Sequence, residues 1–121
     1  MSKSVINPEA VASLNEAIAI KTAELTVPSG VTKTTAVAHK CANVVTLYII
    51  VNKSQWAESD LIATIPEGFR PSQTAYAQIV NYNSTSNNNV AGISGADGTV
   101  KVWSKGTQPQ GNIYITVTYV I

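Results

Sequence analysis

The chain has 121 residues, a net charge of +1 and only 12% charged residues, so one domain is expected and a nucleic-acid or anionic-membrane surface has no electrostatic footprint. Hydrophobic residues at 45% exclude general disorder, and Val, Ile, Thr and Tyr together number 44, which points to a mainly β fold.

In chain order, Met1 to Pro8 shows no apolar run behind Lys3, so no signal peptide is expected. Asn7 suits a helix N-cap, Pro8 the first helical position and Glu9 the positive end of the dipole. Val11, Leu14, Ile18 and Leu25 then recur at heptad spacing, with Lys21 in the remaining seam position. A helix across this stretch either lies on its own domain or ties several chains into a short parallel coiled coil. Pro28 and Gly30 end it. The expected division is 1–30 as a helical segment and 31–121 as a β domain.

From Val31 the period becomes two. Strands are expected over 31–38, 41–52, 60–65, 73–82, 90–94, 99–105 and 112–121, with Asp97-Gly98 as a hairpin turn. The longest apolar stretch, Val44 to Val51, contains Thr46 and falls far short of the ~20 residues that a spanning helix needs, so no membrane insertion is expected. About seven short strands separated by turns suggest an antiparallel sandwich or barrel. Alternation predicts a core of Val45, Leu47, Ile49, Ile65, Val100, Val102, Ile113, Ile115 and Val117. It also turns Trp103 away from Val100 and Val102.

The run Leu61-Ile62-Ala63-Thr64-Ile65-Pro66-Glu67-Gly68-Phe69-Arg70-Pro71-Ser72 is followed by the Gly95-Ala96-Asp97-Gly98-Thr99-Val100 hairpin and the Tyr-rich strand Ile113 to Tyr119. That order resembles the C-terminal head domains of bacteriophage tail receptor-binding and baseplate upper proteins, over residues 31 to 121. The resemblance implies a jelly-roll-like β-sandwich head, a homotrimer, a short N-terminal trimeric coiled coil, a place in the virion tail tip or baseplate, and recognition of a host cell-wall saccharide. Only residues 1–30 precede the head, where many such proteins carry a longer neck; a minimal adhesin, an accessory tail protein and a piece of a longer protein all fit.

A saccharide site pairs an aromatic platform with amide, hydroxyl or carboxylate groups. Trp103 is the platform candidate by its facing, its other reading being a residue of a trimer interface or of sheet packing. Tyr82 and the amides Asn87, Asn88 and Asn89 border or form a polar loop, and Asp97 adds a carboxylate from the hairpin. Trp56 reads as a loop anchor. One His and one Cys, His39 and Cys41, do not make a metal site, and Glu58 with Asp60 reads as surface charge before a glycosidase pair. Ser94 completes no nucleophile elbow. No catalysis, cofactor or metal is therefore expected. Two functions stand: a non-catalytic saccharide-binding head, or a structural trimeric tail or baseplate component that binds other virion proteins.

Overall fold

The computed structural model describes residues 19–81 and 89–121. Eight strands follow one another: β1 (Lys21–Glu24), β2 (Thr32–Cys41), β3 (Val44–Lys53), β4 (Leu61–Thr64), β5 (Ala75–Gln78), β6 (Val90–Ile93), β7 (Thr99–Val102) and β8 (Gly111–Val120). They form two antiparallel four-stranded sheets, ordered β1-β2-β3-β8 and β4-β7-β6-β5. Among the described residues there is no helix. β3 leads into β4 and β7 into β8, while β3 pairs with β8 and β4 with β7. One long two-stranded ribbon therefore passes from the first sheet into the second, and the β5–β6 hairpin closes it.

The core follows from the alternation. Val45, Leu47, Ile49 and Val51 of β3, with Ile113 and Ile115 of β8, turn inward and meet Ile62, Ile93, Val100 and Val102 of the other sheet. Val117 of the expected core is only half-buried and packs against the margin of the cluster, while Tyr119, two residues further on, is buried. Trp56 is buried as a loop anchor: its indole Nε1 donates to the Gly111 carbonyl at 3.0 Å and its amide to Pro109 O at 3.0 Å.

The expected helix does not continue through residues 21–25. Lys21–Glu24 is an edge strand in register with β2, from Lys21 opposite Lys40 to Glu24 opposite Val37. Leu25, expected in a trimer seam, is 2% exposed in the head core, and its amide donates to Ala36 O at 2.9 Å. The physical reason is that the sheet edge satisfies this segment's backbone while Leu25 fills the sandwich, a gain that a marginal two-heptad helix cannot match. Val11, Leu14 and Ile18 lie outside the described residues. The break expected after Ala38 is also displaced: β2 runs on to Cys41, and Ala42 at φ 53° makes the turn into β3.

The molecule has two distinct ends. At one end lie Ile20, the Ala42-Asn43 turn, the Pro66–Ser72 turn and Ile121. There the three segments that carry the family resemblance meet. Arg70 Nε donates to Ile65 O at 2.8 Å, Ile65 N donates to Gly98 O at 2.8 Å, and Tyr119 Oη donates to Phe69 O. Gly98, at φ +73°, has no room for a side chain, since a Cβ would lie 2.4 Å from Arg70 Nε and from Ile65 O. At the other end lie the 54–60 and 104–110 connections and the two residues that flank 82–88.

Candidate functional site

Residues directly opposite one another in an antiparallel sheet share a face. On the outer face of the second sheet Tyr76, Gly92 and Lys101 therefore form one row. Trp103 extends the next row past the end of β7, its amide donating to Val90 O at 2.8 Å. Because Val102 is 1% exposed and turned inward, Trp103 must point out, and it is 62% exposed. Tyr76 is 54% exposed beside it; the two ring centroids are 5.7 Å apart and the planes tilted by 57°. Gly92 lies beneath both rings: a Cβ there would sit 3.6 Å from Trp103 Cβ and 3.8 Å from Tyr76 Cε1. The absent side chain lets the two rings close over Gly92 in tilted contact, and their outer sides form an exposed aromatic patch suited to the C–H face of a sugar ring.

A cleft of about 420 Å³ also opens at Trp103, lined by Glu58, Ser59, Ser104 and Lys105. Its volume is that of an ordinary small-ligand site. Ser59 is held against the sheet end by its amide, which donates to Val102 O at 2.9 Å, and it takes a φ of 67°. Ser104 Oγ accepts from Val90 N at 3.1 Å. Nearby, Gln108 Nε2 donates to Ser104 O at 2.6 Å, whereas Gln108 Oε1 is buried with no hydrogen-bond partner among the described residues.

The sequence candidates separate. Trp103 stands where alternation placed it. Asn89, expected to face a ligand, is 2% exposed; its amide nitrogen donates to Thr107 O at 3.0 Å and Ser104 Oγ at 3.4 Å, so it braces the 104–110 connection. Asp97 is exposed but sits at the far end of β7, four or more strand residues from Trp103, a separation of roughly 13 Å or more. Its carboxylate accepts from the Thr99 amide at 3.1 Å and hydroxyl at 2.8 Å, and these bonds hold it below the ordinary carboxylate range. It caps its own turn and does not join the Tyr76–Trp103 patch. Tyr82, Asn87 and Asn88 lie outside the described residues.

Glu58 and Asp60 part company. Asp60 turns to Lys53 Nζ at 2.7 Å and to the Ala57 amide at 2.8 Å, and the Lys53 bond lowers its pKa despite the opposing effect of burial. Glu58 remains exposed in the cleft. His39 Nδ1 pairs with Thr22 Oγ1 at 3.1 Å on the first sheet, and Ser94 Oγ accepts from Ala96 N at 3.2 Å within its turn. Among the described residues no three His, Cys, Asp or Glu side chains gather into a metal-binding group.

Tyr76 and Gly92 were not singled out from the sequence. Their signals were present: in Ala75-Tyr76-Ala77-Gln78-Ile79 the alternation turns Ala77 and Ile79 inward and Tyr76 outward, and a Gly inside a strand marks a place left open or closely approached.

No protein-family model and no curated protein sequence matches the chain. Solved structures do. The receptor binding protein of Listeria phage PSA matches at TM-score 0.59 and 19% identity, over 93% of this chain and 73% of that one. The receptor-binding head domain of lactococcal phage bIL170 matches at TM-score 0.62 and 16% identity, over 85% of this chain and 99% of that one. At such identities the fold is what is shared, and the chain has the two-sheet fold of phage receptor-binding heads.

Proposed function

We propose that the chain is the receptor-binding head of a phage or prophage tail, a non-catalytic adhesin that holds a host cell-surface saccharide. The observation that carries this reading is Trp103, 62% exposed on the outer face of the second sheet. A large aromatic side chain left open on a rigid sheet is costly in water and useful against a sugar. Position supports the same reading. Both Ile20 and Ile121 lie at the opposite end of the sandwich, so Trp103 is at the end away from the points where the described chain enters and leaves. The nesting of the β4–β7 pair within the β3–β8 pair supports the jelly-roll-like winding of this reading.

In this reading the head works as a homotrimer in the virion tail, and three copies of a weak site hold a particle through avidity. The outer face of the first sheet supports the assembly. Val44, Tyr48, Val80 and Val120 are exposed there, and Thr46 and Thr118 bond to each other at 3.0 Å between them. Charge is confined to the edges of that face. The same patch also fits the second reading, a tail or baseplate component that docks another virion protein.

The test is adsorption of labelled protein to bacterial cell walls, with Trp103→Ala alongside and light scattering on both. Loss of adsorption with an unchanged oligomeric mass supports the receptor-binding reading. Adsorption by neither protein to any susceptible wall, with a first-sheet face that captures a tail protein, supports the structural one.

A further inference from the structure

The cleft at Trp103 opens between two connections, and hydrogen bonds fix both of them. On one wall the Ser59 amide donates to Val102 O at 2.9 Å, and Asp60 holds the turn by accepting from the Ala57 amide at 2.8 Å and from Lys53 Nζ at 2.7 Å. On the other, Ser104 Oγ accepts from the Val90 amide at 3.1 Å and Ser104 O from Gln108 Nε2 at 2.6 Å, while Asn81 Nδ2 donates to Gln110 O at 2.7 Å. Glu58 and Lys105 stand exposed on these walls. Among the described residues the ion pairs are Lys33 with Glu24 and Lys53 with Asp60, so the carboxylate and the ammonium of the cleft are paired neither with each other nor with a neighbour.

A carboxylate only accepts hydrogen bonds and an ammonium only donates them. A neutral sugar unit in the cleft strips water from both charges and returns no opposite charge to either. A purely anionic or purely cationic unit meets one like charge. A unit with one charge of each sign answers both walls. Resting on the receptor-binding reading above, we infer that the saccharide is zwitterionic: the unit seated in the cleft lays its C–H face on Trp103, turns a protonated amine to Glu58 and turns an acidic group, phosphodiester or uronic carboxylate, to Lys105. Charge-assisted bonds of this kind are shorter and stronger than neutral ones. Glu58 and Lys105 then determine specificity, and Trp103 is a platform for sugars in general.

The experiment uses soluble wall polysaccharide from a strain to which the intact protein adsorbs, untreated and chemically altered. N-acetylation neutralises every amine, and mild alkali removes only those carried on aminoacyl esters. Carbodiimide reduction neutralises uronic carboxylates and leaves phosphodiesters. Each form is titrated by calorimetry against the intact protein and the variants Glu58→Gln and Lys105→Gln, with thermal melting to check folding. N-acetylation is expected to weaken binding by the intact protein at least about fivefold. Glu58→Gln is expected to bind the untreated polymer at least about fivefold more weakly and to be indifferent to N-acetylation. Lys105→Gln is expected to be similarly weakened yet still sensitive to N-acetylation. A loss reproduced by alkali or by reduction supports the proposal and names an aminoacyl ester or a uronate as the charged group; a loss reproduced by neither supports it with an amino sugar and a phosphodiester. If N-acetylation leaves binding by the intact protein within about twofold, or either variant binds as the parent does while adsorption persists, the zwitterionic ligand is overturned and the receptor-binding reading survives. If no strain adsorbs the intact protein, both are overturned.

Discussion

Trp56 and Trp103 have the same side chain and opposite fates, and the difference lies in what surrounds each backbone. Trp56 lies in a connection whose amide and indole nitrogens both find carbonyls, at Pro109 and Gly111, so its ring is buried without an unsatisfied donor. Trp103 follows a strand whose inward positions belong to Val100 and Val102, and the pleat turns it outward. Asp60 shows the same dependence on neighbours. Its bond to Lys53 depresses its pKa in the folded state, so its contribution to stability is present above the ordinary carboxyl pKa of about 4 and is lost as pH falls through the lower folded value. Comparing the parent with Asp60→Asn, the difference in denaturant midpoint should be constant above about pH 5 and shrink below about pH 4, where the protonated acid resembles the amide. A pH-independent difference would show that the ion pair contributes nothing.

At the scale of elements, β1 is the informative case. Leu25 satisfies a heptad pattern with Val11, Leu14 and Ile18, yet it closes the sandwich beside Ala36. A short strand annealed to β2 pairs its backbone with a neighbour already in place, whereas a helix here would need partners from other chains. Leu25→Ala is therefore expected to cost the head ~2–5 kcal/mol, measured by chemical denaturation. A loss of oligomer with an unchanged midpoint would return Leu25 to a seam. The hairpin of β6 and β7 shows the reverse situation. Its Asp97-Gly98 turn was readable because Gly98 must take a positive φ, and its contact with Arg70 and Ile65 also joins the hairpin to the Pro66–Ser72 turn.

Over the whole molecule, the exposed large hydrophobic side chains among the described residues fall into two regions: Tyr76 with Trp103 on one sheet, and Val44, Tyr48, Val80 and Val120 on the other, with Ile20 at the margin beside Val44. The proposed function assigns the first to a glycan and the second to neighbouring copies. Placing a charge in the middle of the second region tests that division. Tyr48→Lys should convert a trimer into monomers by light scattering while leaving the head folded, since Tyr48 is 46% exposed in the single chain and its loss opens no cavity in the core. A trimer that persists in this variant would move the assembly surface elsewhere on the molecule.

Period and turn chemistry belong to the chain itself. Two-residue alternation put Val45, Leu47, Ile49, Ile113 and Ile115 inside and Trp103 outside, because a pleated strand has only two faces. The order of the Pro66–Ser72 turn, the Gly98 hairpin and the Tyr119 strand matched a known fold because the three segments touch one another. Periodicity carries no information about neighbours distant in sequence, and there the tertiary structure decided. Leu25 became core because an open sheet edge was available, and Asn89 turned inward because the 104–110 connection needed a donor. Tyr76 met Trp103 because β6 places Gly92 between them, a juxtaposition set by strand order across 27 residues and by no local pattern.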